Sequence, residues 1–336
     1  MTILLTILIL GILIFAHELG HFVVAKLVGI KVHEFALGMG PLLVSKKVGE
    51  TTYSLRALPI GGFNRMAGME PGEGDDPKGF NKKTVGQRMG VIAAGSLMNF
   101  VLAVIFFIIV FMGIGIASNS NLIAGVIEGS PAHQAGLKPG DRLVAIDEKP
   151  TPTWMDLTGV IRSSPEQDLK ITVERGKERF QVVLRTELDM QERVGMIGIK
   201  RHFEKTGLFA SIKMGITYSL AIIIAIVKDL VKIITGQVAA DVAGPVGIVQ
   251  LVGEAAGFGW ATLINFAGIL SLNLGLINLF PIPALDGSRL IFLGIEGIRG
   301  RPINPENENF IHFVGFALLI ALMLLITYKD ILRIIQ

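Results

Sequence analysis

Phe15-Ala16-His17-Glu18-Leu19-Gly20-His21-Phe22 lies inside an apolar run that extends from Ile3 to Val28. On a helix, positions four apart share a face, so both imidazoles can hold one Zn²⁺ while Glu18 flanks the open coordination position as a general base. No Lys or Arg precedes Lys26 and no small-x-small pattern closes the run, which reads as a membrane helix rather than a cleaved leader. Ionisable groups at membrane depth are costly unless paired, metal-bound or wetted, so the His-Glu-His cluster marks a functional site.

Working outward, the composition agrees with a membrane setting. Hydrophobic residues make up 51% of the 336 and charged residues 18%, the profile of a multi-span membrane protein rather than a soluble enzyme. The net charge of +3 comes from loop Lys and Arg and bears on membrane orientation; no basic tract suggests nucleic acid. With no Cys, thiolate metal sites and cysteine nucleophiles are excluded, leaving His and carboxylate as ligands.

Four stretches are long enough to span: Ile3 to Val28, Val91 to Ile116, Ala261 to Phe280 and Phe310 to Tyr328. Nine Lys and Arg between Lys31 and Arg88 place the first loop in the cytoplasm, so both termini and the segment from Ala117 to Thr206 face outward. A fifth run, Met214 to Val227, is flanked by Lys213, Lys228 and Lys232 and is expected to lie as an interfacial helix along the outer leaflet. The predicted organisation is 1–116, two spans with the zinc motif and a cytoplasmic hairpin loop; 117–206, an extracytoplasmic domain; 207–257, interfacial helix and linker; 258–336, the last two spans. Gly72 to Lys78 reads as a polar linker.

The outward segment carries Gly-Ser-Pro at 129–131, Ala-Gly-Leu-Lys-Pro-Gly-Asp at 135–141, strand-like runs at 142–147, 169–174 and 179–184, and one helix near Thr153 to Arg162. This pattern resembles a bacterial PDZ domain, an α+β module that takes an extended peptide or chain end on a sheet edge. In the cytoplasmic loop, the alternating Thr51 to Ala57 followed by Leu-Pro-Ile-Gly-Gly-Phe at 58–63 reads as a strand and its turn, a β-hairpin able to hold a substrate segment extended. Two histidines leave zinc short of a protein ligand. Asp286 is the best placed, since Pro281 and Pro283 break the chain after the third span, and broken backbone at membrane depth is tolerated where it lines a site. Asp241 precedes that span on the outer side, His33, Glu34 and Glu296 fit ordinary loop roles, and His312 suits the membrane interface. Asn278 can hydrogen-bond a substrate carbonyl or cap the unwound helix.

Together the HExxH at 17–21, Gly-Met-Gly-Pro at 38–41, Leu-Pro-Ile-Gly-Gly-Phe at 58–63, Gly-Pro-Val-Gly-Ile at 244–248 and Asn278 through Gly287 resemble the site-2 protease family of intramembrane zinc metalloproteases, in its bacterial regulator-of-sigma-E-protease branch. The resemblance covers nearly the whole chain. It implies an α-helical polytopic membrane protein with four transmembrane helices, a membrane-associated β-hairpin and one inserted PDZ-like domain. By it, His17, His21 and Asp286 are zinc ligands, Glu18 is the catalytic base, and Asn278 with Gly61, Gly62 and Phe63 contacts substrate. It further implies regulated intramembrane proteolysis, in a bacterial inner membrane, of single-span proteins such as anti-sigma factors or remnant signal peptides. Two departures stand out: Gly95 is followed by Ser96 where many members have proline, and the outward segment admits one PDZ domain where some have two. The rival readings are an idle metal-containing scaffold, which has no need of Glu18, and a transporter, which calls for internal repeats that are not seen.

Overall fold

A computed structural model describes residues 1–69, 76–190, 192–238 and 243–335; residues 72–75 of the expected linker, and Asp241, lie outside the described residues. The chain divides into two units, Met1–Val110 with Phe209–Gln336, and Phe111–Leu208.

The larger unit is built on helices α1 (Thr2–Leu27), α2 (Val85–Gly113), α5 (Leu208–Ile234), α6 (Pro245–Gly257), α7 (Trp260–Asn278), α8 (Asp286–Arg299) and α9 (Pro305–Ile335), while α3 (Pro131–Gln134) and α4 (Trp154–Arg162) belong to the smaller. Among the described residues five helices, α1, α2, α5, α7 and α9, are long and apolar enough to cross a bilayer, one more than the four stretches of the sequence. The difference is α5. Its 27 residues run through Lys213 and Lys228, the charges that flank the fifth apolar run. Lysine is a good helix former and its stem packs on apolar surface while the ammonium reaches water, so a charge in an outer turn does not stop the helix.

The helices approach closely through small residues, the usual source of association where lipid removes the hydrophobic drive between apolar surfaces. A Cβ on Gly20 would strike the Ala94 backbone, and His21 bonds to Val91 O, so α1 and α2 run antiparallel. On α7, Gly268 abuts Phe107, Ser271 Oγ donates to Asn99 O at 2.8 Å, and Gly275 abuts Phe100 and Ser96. Rising numbers on α7 meet falling numbers on α2, so α7 parallels α1. Ile9 and Leu13 of α1, Val252 of α6 and Ala267 of α7 form a shared buried cluster.

After α1 the chain forms β1 (Val32–Val48) and β2 (Thr51–Met66), an antiparallel pair. The hairpin turn falls at Gly49-Glu50, with Gly49 at φ 61°, and not at 58–63 as the sequence suggests. The Gly-Gly there lies within β2, where the strand bends beside α1: a Cβ on Gly62 would meet Glu18 Cγ at 2.8 Å. Residues 34–37 pair with 62–65 on one side and with 52–55 on the other, and along the latter the partners advance together, as in parallel strands. The resulting order is 42–48, 51–56, 34–37, 62–66, leaving 62–66 as an edge without a strand partner among the described residues.

The smaller unit has a four-stranded sheet in the order Lys149–Pro150, Arg142–Ile146, Asp168–Arg175, Glu178–Arg185. Alternating inward residues, with Leu157 and Ile161 of α4, build its own core around Ile123, Leu143 and Ile171. Thr153 starts α4 with a capping box to Asp156. Asp141, its side chain fully buried, accepts from Arg175 Nε at 2.7 Å and Nη2 at 2.8 Å and from the Lys138 N–H at 2.8 Å.

Candidate metal centre

α1 presents His17 and His21 on one face, and their Nε2 atoms stand 3.1 Å apart. Asp286 Oδ2 lies 3.2 Å from each. Asp286 is the first residue of α8, reached after α7 ends at Asn278 by a turn through Pro281 and Pro283 in which Ala284 takes φ 74°. The turn doubles back so tightly that a Cβ on Gly287 would collide with the carbonyls of Leu279 and Phe280.

The donor set fits zinc. Ligand atoms about 2.05 Å from a tetrahedral ion are about 3.3 Å from one another, close to the observed triangle, and two imidazoles with one carboxylate leave the fourth position open. The proton positions fit as well. His21 Nδ1 is 2.8 Å from Val91 O, which can only accept, so Nδ1 carries the hydrogen and the Nε2 lone pair faces the site. His17 Nδ1 sits 3.4 Å from the amide nitrogen of fully buried Asn99, whose Oδ1 has no partner; turning that amide over lets Oδ1 accept from Nδ1–H and aims the His17 Nε2 lone pair at the same point.

Glu18 projects beside the triangle. Asn64 of β2 donates through Nδ2 to Glu18 Oε2 at 2.7 Å and to the Glu18 backbone carbonyl at 2.8 Å, tying one carboxylate oxygen and the main chain of Glu18 to the same amide. These groups open into a cavity of about 650 Å³ whose wall includes Gly62, Phe63, Asn64, Arg65, Asn278, Arg289 and His312. His17, Glu18, His21, Asp286, Asn278, Gly62 and Phe63 are thus brought together. Gly61 is not; it lies on a neighbouring apolar groove with Ile7 and Leu37. Of the weaker ligand candidates, Glu296 is taken by Arg88, at 3.0 and 2.5 Å. Glu34 accepts from Ser54 Oγ at 2.6 Å and from Arg56 Nη2 at 2.8 Å. Asn64, Asn99 and the inward-facing His312 escape a sequence reading of the site, since each acts through an element distant in the chain.

The sequence pattern of Peptidase family M50 matches residues 5–322. This chain belongs to family M50, the site-2 protease family. Among its M50 relatives, zinc metalloprotease RasP of Bacillus licheniformis is 35% identical over 415 residues, covering 99% of each chain. Regulator of sigma-W protease RasP of Bacillus subtilis is 33% identical over 416 residues, covering 99% of this chain and 98% of that one. The M50 chain described here is accordingly a multi-pass membrane metalloprotease with zinc as its metal. Of solved structures, the PDZ domain of the SdrC-like protein from Listeria monocytogenes is similar to it at 19% identity and a TM-score of 0.23, covering 25% of this chain and 87% of that one.

Proposed function

We propose that this metalloprotease cuts a membrane-spanning segment of another protein inside the bilayer, with His17, His21 and Asp286 holding the zinc and Glu18 as the general base. The observation that carries the reading is the union, in one cavity, of the three-ligand triangle, the Asn64-held carboxylate and the unpaired strand edge 62–66. Zinc held there would supply the Lewis-acid chemistry of a hydrolytic site, activating a water near neutral pH and polarising a carbonyl. Glu18 takes the water's proton and returns it to the leaving amine. Asn64 holds the carboxylate in the orientation that serves both transfers. A helical peptide bond is hydrogen-bonded within its own turn, so the substrate must first unwind; the 62–66 edge offers the freed backbone new partners, with Gly62, Phe63 and Asn278 against the strand.

The direction of the helices supports four crossings. α7 parallels α1, so the chain is on the same side at the start of both, and between α2 and α7 it crosses an even number of times. α6, with 13 residues or about 20 Å, is too short to return α5, so α5 lies along the outer leaflet. The hairpin then enters the membrane from the cytoplasmic side beside α1. The cell membrane of a bacterium is the location, and the substrates are single-span proteins, anti-sigma factors or remnant signal peptides, in keeping with the name of the Bacillus subtilis relative. The 111–208 unit, read as PDZ-like, faces outward and takes a peptide or chain end.

Glu18→Gln tests the mechanism in purified protein reconstituted with a single-span substrate. Zinc content stays at the wild-type level and cleavage is lost, because an amide cannot accept the proton while the three ligands are untouched. Undiminished cleavage by this variant removes Glu18 from its role.

A further inference from the structure

Ala284 is the one non-glycine residue in the left-handed region among the described residues of the larger unit, at φ 74°, in the turn that carries Asp286 to the two histidines. Alanine rarely adopts this conformation, and it persists only where the surroundings over-determine it. Its N–H donates to Nδ1 of His312 on α9 at 3.0 Å. A backbone amide can only donate, so Nδ1 is the unprotonated nitrogen and the ring is a neutral acceptor in a fixed tautomer. Nε2–H then points away, 3.8 Å from Glu308 Oε1 and beyond hydrogen-bond reach. Phe292 of α8 meets the ring edge-on at 5.8 Å and 88°. Three residues along α9, Gly315 leaves room for Pro283: a Cβ there would overlap that ring.

We infer that His312 is a positioning residue for the third metal ligand: by accepting from the Ala284 amide it holds the left-handed turn that delivers Asp286 to His17 and His21. The inference rests on the reading of Asp286 as a ligand and goes beyond it. The imidazole lines the cavity, but its bond is to the Ala284 amide and not to Asp286, His17 or His21; through that amide it decides whether the carboxylate is already in place when the ion arrives. Partners of this kind behind a ligand typically affect metal affinity by about 10- to 100-fold.

Zinc affinity of the full-length chain in detergent, measured by competition with a chromophoric chelator, reads this without recourse to activity. His312→Phe keeps a ring of similar size and loses the acceptor, and affinity falls about tenfold or more. His312→Asn places Oδ1 where Nδ1 was, and stays within about threefold of wild type. Adding Ala284→Gly to His312→Phe restores most of the loss, since glycine takes the left-handed turn unaided; this double variant also answers if His312→Phe alone does not fold. Asp286→Ala is the separate arm. If it binds zinc like wild type, the ligand reading fails; if it loses zinc while His312→Phe does not, the positioning inference fails alone. A loss in His312→Phe that neither His312→Asn nor Ala284→Gly repairs makes the ring a space filler and overturns the inference.

Discussion

Gly95→Ala adds one methyl group where α2 packs closest on the two histidines. Gly95 of α2 faces both metal-site imidazoles, and its Cβ would stand 2.7 Å from His21 Cε1 and 2.8 Å from His17 Cε1. Carbon atoms rest about 3.5–4.0 Å apart, so each ring must move by about 1 Å. α2 cannot easily retreat instead, because Gly20 backs directly onto Ala94 and His21 is tied to Val91 O. Zinc tolerates ligand displacements of only about 0.2 Å, so the rings either leave the ion or stay and bear an overpacking cost of about 1–3 kcal/mol. In the zinc-free protein no ion holds the rings, so they can turn aside at the smaller cost of the His21 hydrogen bond to Val91 O, about 0.5–1.5 kcal/mol. Most of the difference therefore falls on metal affinity, which should drop between about 5-fold and 150-fold. Alanine in place of glycine within a helix favours the fold by about 0.5–1 kcal/mol and offsets much of the lost bond, so the zinc-free variant should be about as stable as wild type. Metal affinity thus falls while apo stability stays nearly level. Chelator competition and thermal unfolding of the apo form measure the two, with Gly90→Ala as control, since a Cβ there meets nothing within 4 Å. Zinc affinity within twofold of wild type in folded Gly95→Ala refutes the packing of the two imidazoles against α2.

Asn64→Leu removes the donor to Glu18; a hydrogen bond to a charged group contributes about 1.5–3 kcal/mol, so kcat on a single-span substrate should fall about 10- to 100-fold with zinc content unchanged. An unaltered rate would show that Glu18 needs no holding. Asp141 in the 111–208 unit is pushed up by burial but pulled further down by Arg175 and the Lys138 N–H, so its folded pKa lies below the unfolded value of about 3.9. Its stabilising contribution is present above that pH and fades as pH falls toward the folded value, so thermal melts of the excised unit should lose stability below about pH 4, and Asp141→Asn should be less stable at neutral pH and flatten the acid dependence. An equally steep acid loss in the variant would assign the effect to other carboxylates. Because the chain has no Cys, Lys82→Cys and Lys177→Cys report sidedness cleanly: in intact cells an impermeant thiol reagent should label the second and not the first. The reverse labelling would invert the orientation.

The His17-Glu18-His21 cluster was legible because helical periodicity is local, and Asp286 because two prolines announce a helix break close to a carboxylate. The hairpin was legible as an element but misplaced at its turn: Gly61-Gly62 looks like a turn to any local rule, yet Gly62 is small because Glu18 crosses in front of it, a contact between separate elements. α5 outruns its apolar stretch for a related reason: Lys213 and Lys228 look like ends, yet a lysine stem reaches far enough to carry its charge to water. Asn64, Asn99 and His312 carry no local pattern at all. Each is an ordinary polar residue until the fold sets it against a histidine, a carboxylate or a strained amide.

Asp286, the proposed third ligand, comes late in the chain, and α9, inferred above to steady its turn, later still. A ribosome adding about 5–20 residues per second makes His21 some ten to fifty seconds before Asp286. Throughout that interval the nascent chain holds two imidazoles and a carboxylate base but no closed coordination triangle, while its own apolar helices pass into the same membrane. The proposed centre can close only after residue 286 has emerged, so until then the newborn chain is safe from itself. A chain ending before Asp286, whether by truncation or by nonsense mutation, is then expected to be an inert protein and not an unregulated one.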